Sequence, residues 1–340
     1  MITSNSMVSE VGQGSVWALP DALARLRPRA CGLLVALNER VWQVSDPVLL
    51  ELVRLRVAQL IGNPDAARVR CPAAAVAHGA RGAGLEAKIR ALPDYPSSPL
   101  FSAAERDVVA FTEQFVIDVG GTTEDMRAEL IDRFGADGAR ALVSAIYVVE
   151  FTQRLQLIAA LVLDHAGTPL AAPPAGPGAG AATPAELLTA YQEAVVRSSS
   201  LDLVTTELVR LRCARTHRCR ICQTLRLAGA REAGADEAMT AQVDFYEHSS
   251  LPERAKVALR VTDAFITRPD LLSEAAVAQA RASFGPGKLA SLCLDITKWS
   301  TQKIHVALGT DGADTLVTDE DGVALFGFDQ AGRATGYRRR

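Results

Sequence analysis

Glu51-Leu52-Val53-Arg54-Leu55-Arg56 and Glu207-Leu208-Val209-Arg210-Leu211-Arg212 are the same six residues written twice in one chain. Two further landmarks repeat in the same order. Ser102-x-x-Glu105-Arg106 and Ser250-x-x-Glu253-Arg254 both read as capping boxes opening apolar-periodic helices. Phe134-Gly135 and Phe284-Gly285 each precede a long helical run, over 139–163 and 288–308. Each landmark recurs about 150 residues further along, which is the pattern of an internal duplication. The sequence therefore predicts an all-α protein of two homologous helical halves.

Working outward sets the boundaries. The stretch 166–182 carries AAPPAGPGAGAA, and Pro and Gly at that density make it a linker. The expected organisation is a disordered tail at 1–16, a first half at 17–165, the linker, a second half at 183–310 and a C-terminal tail at 311–340. Thr183-Pro184-Ala185-Glu186 gives the second half an N-cap, a proline at the first helical position and a glutamate at the third. Asp46-Pro47 starts the Glu51 helix in a similar way. Val108, Phe111 and Phe115 share one helical face, as do Leu289, Leu292, Cys293, Ile296 and Ile304. Thr315–Phe328 alternates around Asp321-Gly322, so a small C-terminal β-hairpin is expected there.

Bulk composition narrows the classes. The chain has 340 residues, 49% hydrophobic but only 5% aromatic, so its core is built from Ala, Leu and Val, of which Ala and Leu are strong helix formers. A net charge of −3 gives no global basic field, and no aromatic interleaving marks a nucleic-acid face. No uninterrupted apolar run reaches the length of a membrane span. The opening MITSNSMVSEVGQG lacks the charged and apolar regions of a signal peptide, so a cytoplasmic location is expected. In that compartment the six cysteines are free, catalytic or metal-bound in preference to structural disulfides.

The chemistry concentrates at Cys219-Arg220-Ile221-Cys222. Two thiols at this spacing can close a disulfide ring and reopen it. Arg210, Arg212, Arg215, Arg218, Arg220 and Arg226 surround them in sequence, and positive charge favours the reactive thiolate. Glu207 has two readings. It is a proton acceptor for the dithiol, or it is the structural partner of Arg210 three residues on, as Glu51 is placed with Arg54. Cys213, His217, Cys219 and Cys222 also place four zinc-type ligands in ten residues, although zinc sites draw their ligand pairs from separated segments. No metal or cofactor is assigned. Cys293 reads as core, and Cys31 and Cys71 carry no pattern.

The segment Glu207-(x11)-Cys219-x-x-Cys222, with the helical duplication, resembles the carboxymuconolactone decarboxylase-like superfamily, specifically its alkylhydroperoxidase D-like branch. That branch carries Glu-(x11)-Cys-x-x-Cys-(x3)-His on an all-helical scaffold. The resemblance implies a thiol-dependent peroxidase or disulfide reductase in antioxidant defence, assembled as a homo-oligomer. Carried over, Cys222 attacks a hydroperoxide, Cys219 resolves the sulfenic acid, and Glu207 relays the proton. A thiol or lipoyl-type protein is the implied electron donor. Two positions depart from the pattern. Arg226 stands where the branch has His, so it supports a thiolate by charge without relaying protons, and His217 is the nearest substitute. In the first half the cysteine positions hold Asn63 and Ala66 and the His position holds Arg70, so that half has no dithiol. The rival readings are a decarboxylase or lactone-processing enzyme of the same superfamily, and a non-enzymatic scaffold.

Overall fold

Helix α1 (Pro28–Val44) opens on a proline at its first turn, where the missing N–H costs nothing. Asp46 then caps α2 (Pro47–Ile61), its carboxylate accepting from the N–H groups of Val48 and Leu49. Ser102 and Glu105 close a reciprocal capping box on α3 (Ala103–Asp118). Helix α4 (Glu124–Leu163) kinks at Gly135, whose φ of 71° needs a glycine. The second half repeats the order. Thr183 and Glu186 form the capping box of α5 (Pro184–Ser198), and Asp202 caps α6 (Leu203–Thr216). There follow α7 (Arg220–Thr224), α8 (Glu253–Ile266), α9 (Glu274–Ser283), α10 (Pro286–Trp299) and α11 (Lys303–Ala307).

This computed structural model describes residues 16–71, 73–74, 84–163, 182–314 and 316–337. The expected tail at 1–16 and linker at 166–182 lie almost wholly outside the described residues. The fold is all-α with a minor β element, as the helical periodicity predicts. Three details differ from expectation. Ser250 does not cap α8; Pro252 holds that position, and Ser250 donates to Gln242 instead. The run over 288–308 is broken by a 3-10 turn, Ser300–Gln302, between α10 and α11. The β element is also displaced. Asp321-Gly322 turns before the strand, and the paired strands are β2 (Ala324–Phe328) and β3 (Ala334–Thr335). A further strand, β1 (Leu225–Leu227), follows the dithiol directly and pairs in parallel with β2, Arg226 opposite Leu325. Residues 225–227 lack the length of a strand signal, which explains why the sequence does not announce it.

The two halves pack alike and against each other. Helix α2 lies on α3 and α4, and α6 lies on α8 and α10, while α1 packs on α5 and α4 on α10 across the halves. The expected faces point inward: Val108, Phe111, Phe115, Leu289, Leu292, Cys293, Ile296 and Ile304 are all buried. Arg127 donates to the carbonyls of Val306 and Ala307 at the end of α11, and Arg281 to those of Leu161 and Val162 at the end of α4. Each half thus caps a helix C-terminus of the other, where a cation is favoured. Helix α4 is long and apolar enough to cross a membrane, yet 72% of its most apolar window is buried inside the fold.

At the contact between halves lies a buried charge cluster. Glu150 accepts from Lys303 Nζ at 2.8 and 2.9 Å and from Arg154 Nε at 2.8 Å. Arg154 also donates to the carbonyls of Phe265 and Thr267. Burial pushes the Lys303 ammonium down to about 8, and Glu150 opposes that shift. Removing the carboxylate strands two cations in the core. Glu150→Gln is therefore expected to cost about 3–5 kcal/mol, read as a fall in the urea midpoint at unchanged slope.

Candidate functional site

Helix α6 ends in a left-handed residue, Arg218 (φ 54°), and the chain reverses into Cys219. Helix α2 ends in the matching place on Gly62 (φ 72°). The turn fixes where the cysteines fall. Cys219 caps α7, its Sγ accepting from the Cys222 N–H at 3.4 Å. The two sulfurs lie 2.7 Å apart as free thiols.

The segment is tied down by a buried ion pair. Arg210 donates from Nε and Nη2 to the two carboxylate oxygens of Glu207, both at 2.7 Å. Its remaining donors reach the carbonyls of Cys222 at 2.7 Å and Leu225 at 2.5 Å. Both partners are buried. The first half repeats this set. Arg54 holds Glu51 at 2.7 and 2.8 Å and donates to the carbonyls of Ala66 and Val69. Ala66 stands where the sequence pattern aligns Cys222. Of the two readings of Glu207, the geometry shows the ion pair, and it shows the same pair in the half without the dithiol, where Glu51 also accepts from the Cys71 N–H at 3.4 Å.

The arginine cluster is likewise engaged by carboxylates. Arg212 pairs with Asp263, Arg215 with Asp244, Arg218 with Asp118, Arg220 with Asp311 and Arg226 with Glu237. Arg226 also donates to the carbonyls of Gln223 and Leu225, so it braces the turn after the dithiol. Arg70 is paired in the same manner, with Glu86. The sequence predicts a thiol made acidic by arginines, and the structure gives the opposite direction. The Cys222 thiol is pushed well above its usual range by its hydrogen bond with Cys219 and by burial, with Arg210 and Lys298 opposing. His217 is buried against Ser300, its Nε2 at 3.1 Å from the hydroxyl, and edge-on to Phe151. Burial, with the charges of Lys303 and Arg154, pushes that imidazole well below its usual value. Among the described residues, no three His, Cys, Asp or Glu side chains gather as a metal would require.

A cavity of about 440 Å³ opens beside the dithiol. Cys222 lines it and Cys219 does not; Cys219 is fully buried behind. Arg210, Lys298 and Trp299 contribute from the helices, and Phe326, Phe328 and Arg333 from the C-terminal segment. Phe326 packs edge-on to Trp299 and lies under the Arg210 guanidinium, 5.5 Å from ring centre to Cζ. The sequence reading misses Lys298 and the C-terminal wall. Lys298 carries no motif, and the wall forms only when β2 docks on β1.

A helical scaffold presenting one thiol of a Cys-x-x-Cys pair to a cavity defines a thiol-bearing all-helical protein. The model of the carboxymuconolactone decarboxylase family matches residues 183–243, the segment that holds the dithiol. Uncharacterised proteins from two strains of Mycobacterium tuberculosis are each 33% identical over 240 residues, covering 68% of this chain and 83% of theirs. No solved structure matches the chain. The chain belongs to the carboxymuconolactone decarboxylase family.

Because the ion pair recurs in the half without the dithiol, its loss has the same cost in both. Glu51→Gln and Glu207→Gln are each expected to destabilise the protein by about 3–5 kcal/mol, within experimental error of one another in urea unfolding. A Glu207 acting solely as a proton relay would leave the second variant as stable as the parent.

Proposed function

We propose that the protein is a thiol-dependent peroxidase or disulfide reductase in antioxidant defence, with Cys222 as the attacking and Cys219 as the resolving thiol. The observation that carries this is the asymmetry of the pair: Cys222 faces the cavity and Cys219 lies sealed 2.7 Å behind it. The Cys222 thiolate attacks the terminal oxygen of a hydroperoxide and the O–O bond breaks. The alcohol leaves with a proton, and Cys222 becomes a sulfenic acid. Cys219 then attacks that sulfur, water departs, and a disulfide closes. The two thiols lose two electrons and the peroxide gains them. A thiol or lipoyl-type protein donor returns the disulfide to the dithiol.

In this reading Glu207 and Arg210 are positioning residues that hold the Cys222 carbonyl, and Arg226 braces the turn after it. Lys298 and Arg210 supply the positive charge that favours a Cys222 thiolate. The cytoplasm, where thiols stay reduced, is the compartment such a cycle needs.

A peptide map with alkylation of free thiols, before and after one equivalent of a hydroperoxide, tests the reading. Cys219 and Cys222 are expected to pass together into a disulfide, and Cys219→Ser to leave a trappable sulfenic acid on Cys222. Retention of both free thiols points instead to a scaffold. A lactone-processing enzyme of the family keeps full activity in Cys222→Ser. The raised thiol sets the pH dependence. Cys222 is mostly protonated at neutral pH, so the rate of disulfide formation is expected to climb as pH rises towards and past 9. A rate flat from neutral pH upward contradicts the raised thiol.

A further inference from the structure

Lys298 is an unusual lining residue for the Cys222 cavity. It is buried, and its ammonium lies 3.1 Å from the Trp299 ring centre and 4.9 Å from that of Phe328. Among the described residues no carboxylate comes within ion-pair distance of it. Burial pushes the Lys298 ammonium down to about 7, and Asp295, three residues back on α10, opposes that shift through space while its own Oδ2 accepts from Ser199 at 3.1 Å. The other cations of the lining are engaged: Arg210 by Glu207 and Arg333 by Glu193. Trp299 also lines the cavity, and its buried indole N–H finds no acceptor in the protein. A buried ammonium and a buried donor side by side, each short of an acceptor, are costly unless something anionic completes them. The lining around them is mixed: Gln192, Glu193 and Gln302 are among its polar members, and Phe326 and Phe328 of β2 give it an aromatic side.

We propose that Lys298, with the Trp299 indole N–H, is the anion-anchoring end of the Cys222 cavity, and that its ligand is a carboxylate with an apolar body lying against Phe326 and Phe328. Where the peroxidase reading holds, on which this last step rests, the substrate is a carboxylate-bearing hydroperoxide, its anionic end on Lys298 and its peroxide turned to Cys222. The volume falls within the usual range for sites that enclose a small ligand. The C-terminal segment is then part of the binding site, and its strand pairs with the one that follows the dithiol.

The test uses unreactive probes on the full-length protein, so its result is independent of thiol chemistry. Binding of octanoate and of 1-octanol is measured by titration calorimetry. The wild type is expected to bind octanoate at least tenfold more tightly than octanol. Lys298→Met is expected to erase that preference and leave octanol affinity unchanged, and Phe328→Ala to weaken both ligands together. Equal affinities in the wild type, no binding of either probe, or a preference that survives Lys298→Met each overturn the assignment. The wild-type comparison decides the matter even where Lys298→Met fails to fold. A protein that binds octanoate selectively yet never oxidises Cys219 and Cys222 keeps the anion site and loses the peroxidase reading.

Discussion

The Glu207–Arg210 pair is the constraint on which the site depends. A carboxylate and a guanidinium buried together are tolerable only if their remaining hydrogen-bonding capacity is used. Here the spare guanidinium donors end on the carbonyls of Cys222 and Leu225. The backbone of the dithiol segment is therefore held from below by two hydrogen bonds to a charged donor, the stronger kind. Those bonds fix which way α7 leaves the turn, and so which sulfur meets the cavity. They also place β1 where the C-terminal strand can join it.

The same pair in the first half, Glu51–Arg54 on the carbonyls of Ala66 and Val69, separates architecture from chemistry. An ion pair that keeps its partners where the dithiol is absent is serving the fold. That supports reading the chain as a duplication in which one copy has the scaffold without the dithiol. The turns add to the case: Gly62 closes against Asp270, and Arg218 closes against Gly120. Each half thus sets the turn of one copy against the loop after the third long helix of the other. The halves are consequently locked into one body, with Glu150 and Lys303 at its centre.

Helices, buried faces and every expected cap but that of Ser250 were legible because they are local. Asp46-Pro47 and Thr183-x-x-Glu186 carry their partners within four residues, and apolar spacing reports a buried face directly. The charge state of the site was not legible, for the opposite reason. Six arginines close in sequence look like an electropositive field, but apart from Glu207 on Arg210 their carboxylates come from further along the chain or from other elements. Asp118 is in the first half, Asp263 on α8 and Asp311 beyond α11. A linear count of charges sees the cations and not what neutralises them. The cavity was illegible on the same ground, since Lys298, Cys222 and Phe328 belong to three elements that meet only in the fold.

That neutralisation leaves the chemistry to burial. With its arginines engaged and the branch's His replaced by Arg226, Cys222 has no strong proton acceptor beside it. A buried thiol bonded to a second thiol is a reluctant nucleophile. The cavity answers part of this difficulty. An anion seated on Lys298 would hold the reacting atom near Cys222, so positioning substitutes for acidity. In the proposed peroxidase cycle, selectivity then comes from the cavity wall, and the reaction is slow for any peroxide that cannot occupy it. The C-terminal strand gives the same result by sequestration: it shelters the dithiol from bulk solvent on one side and confines access to the aromatic mouth. Under the proposed function, a site built in this way trades speed towards small oxidants for choice among larger ones, and Arg226 at the position of the branch's histidine fits that trade.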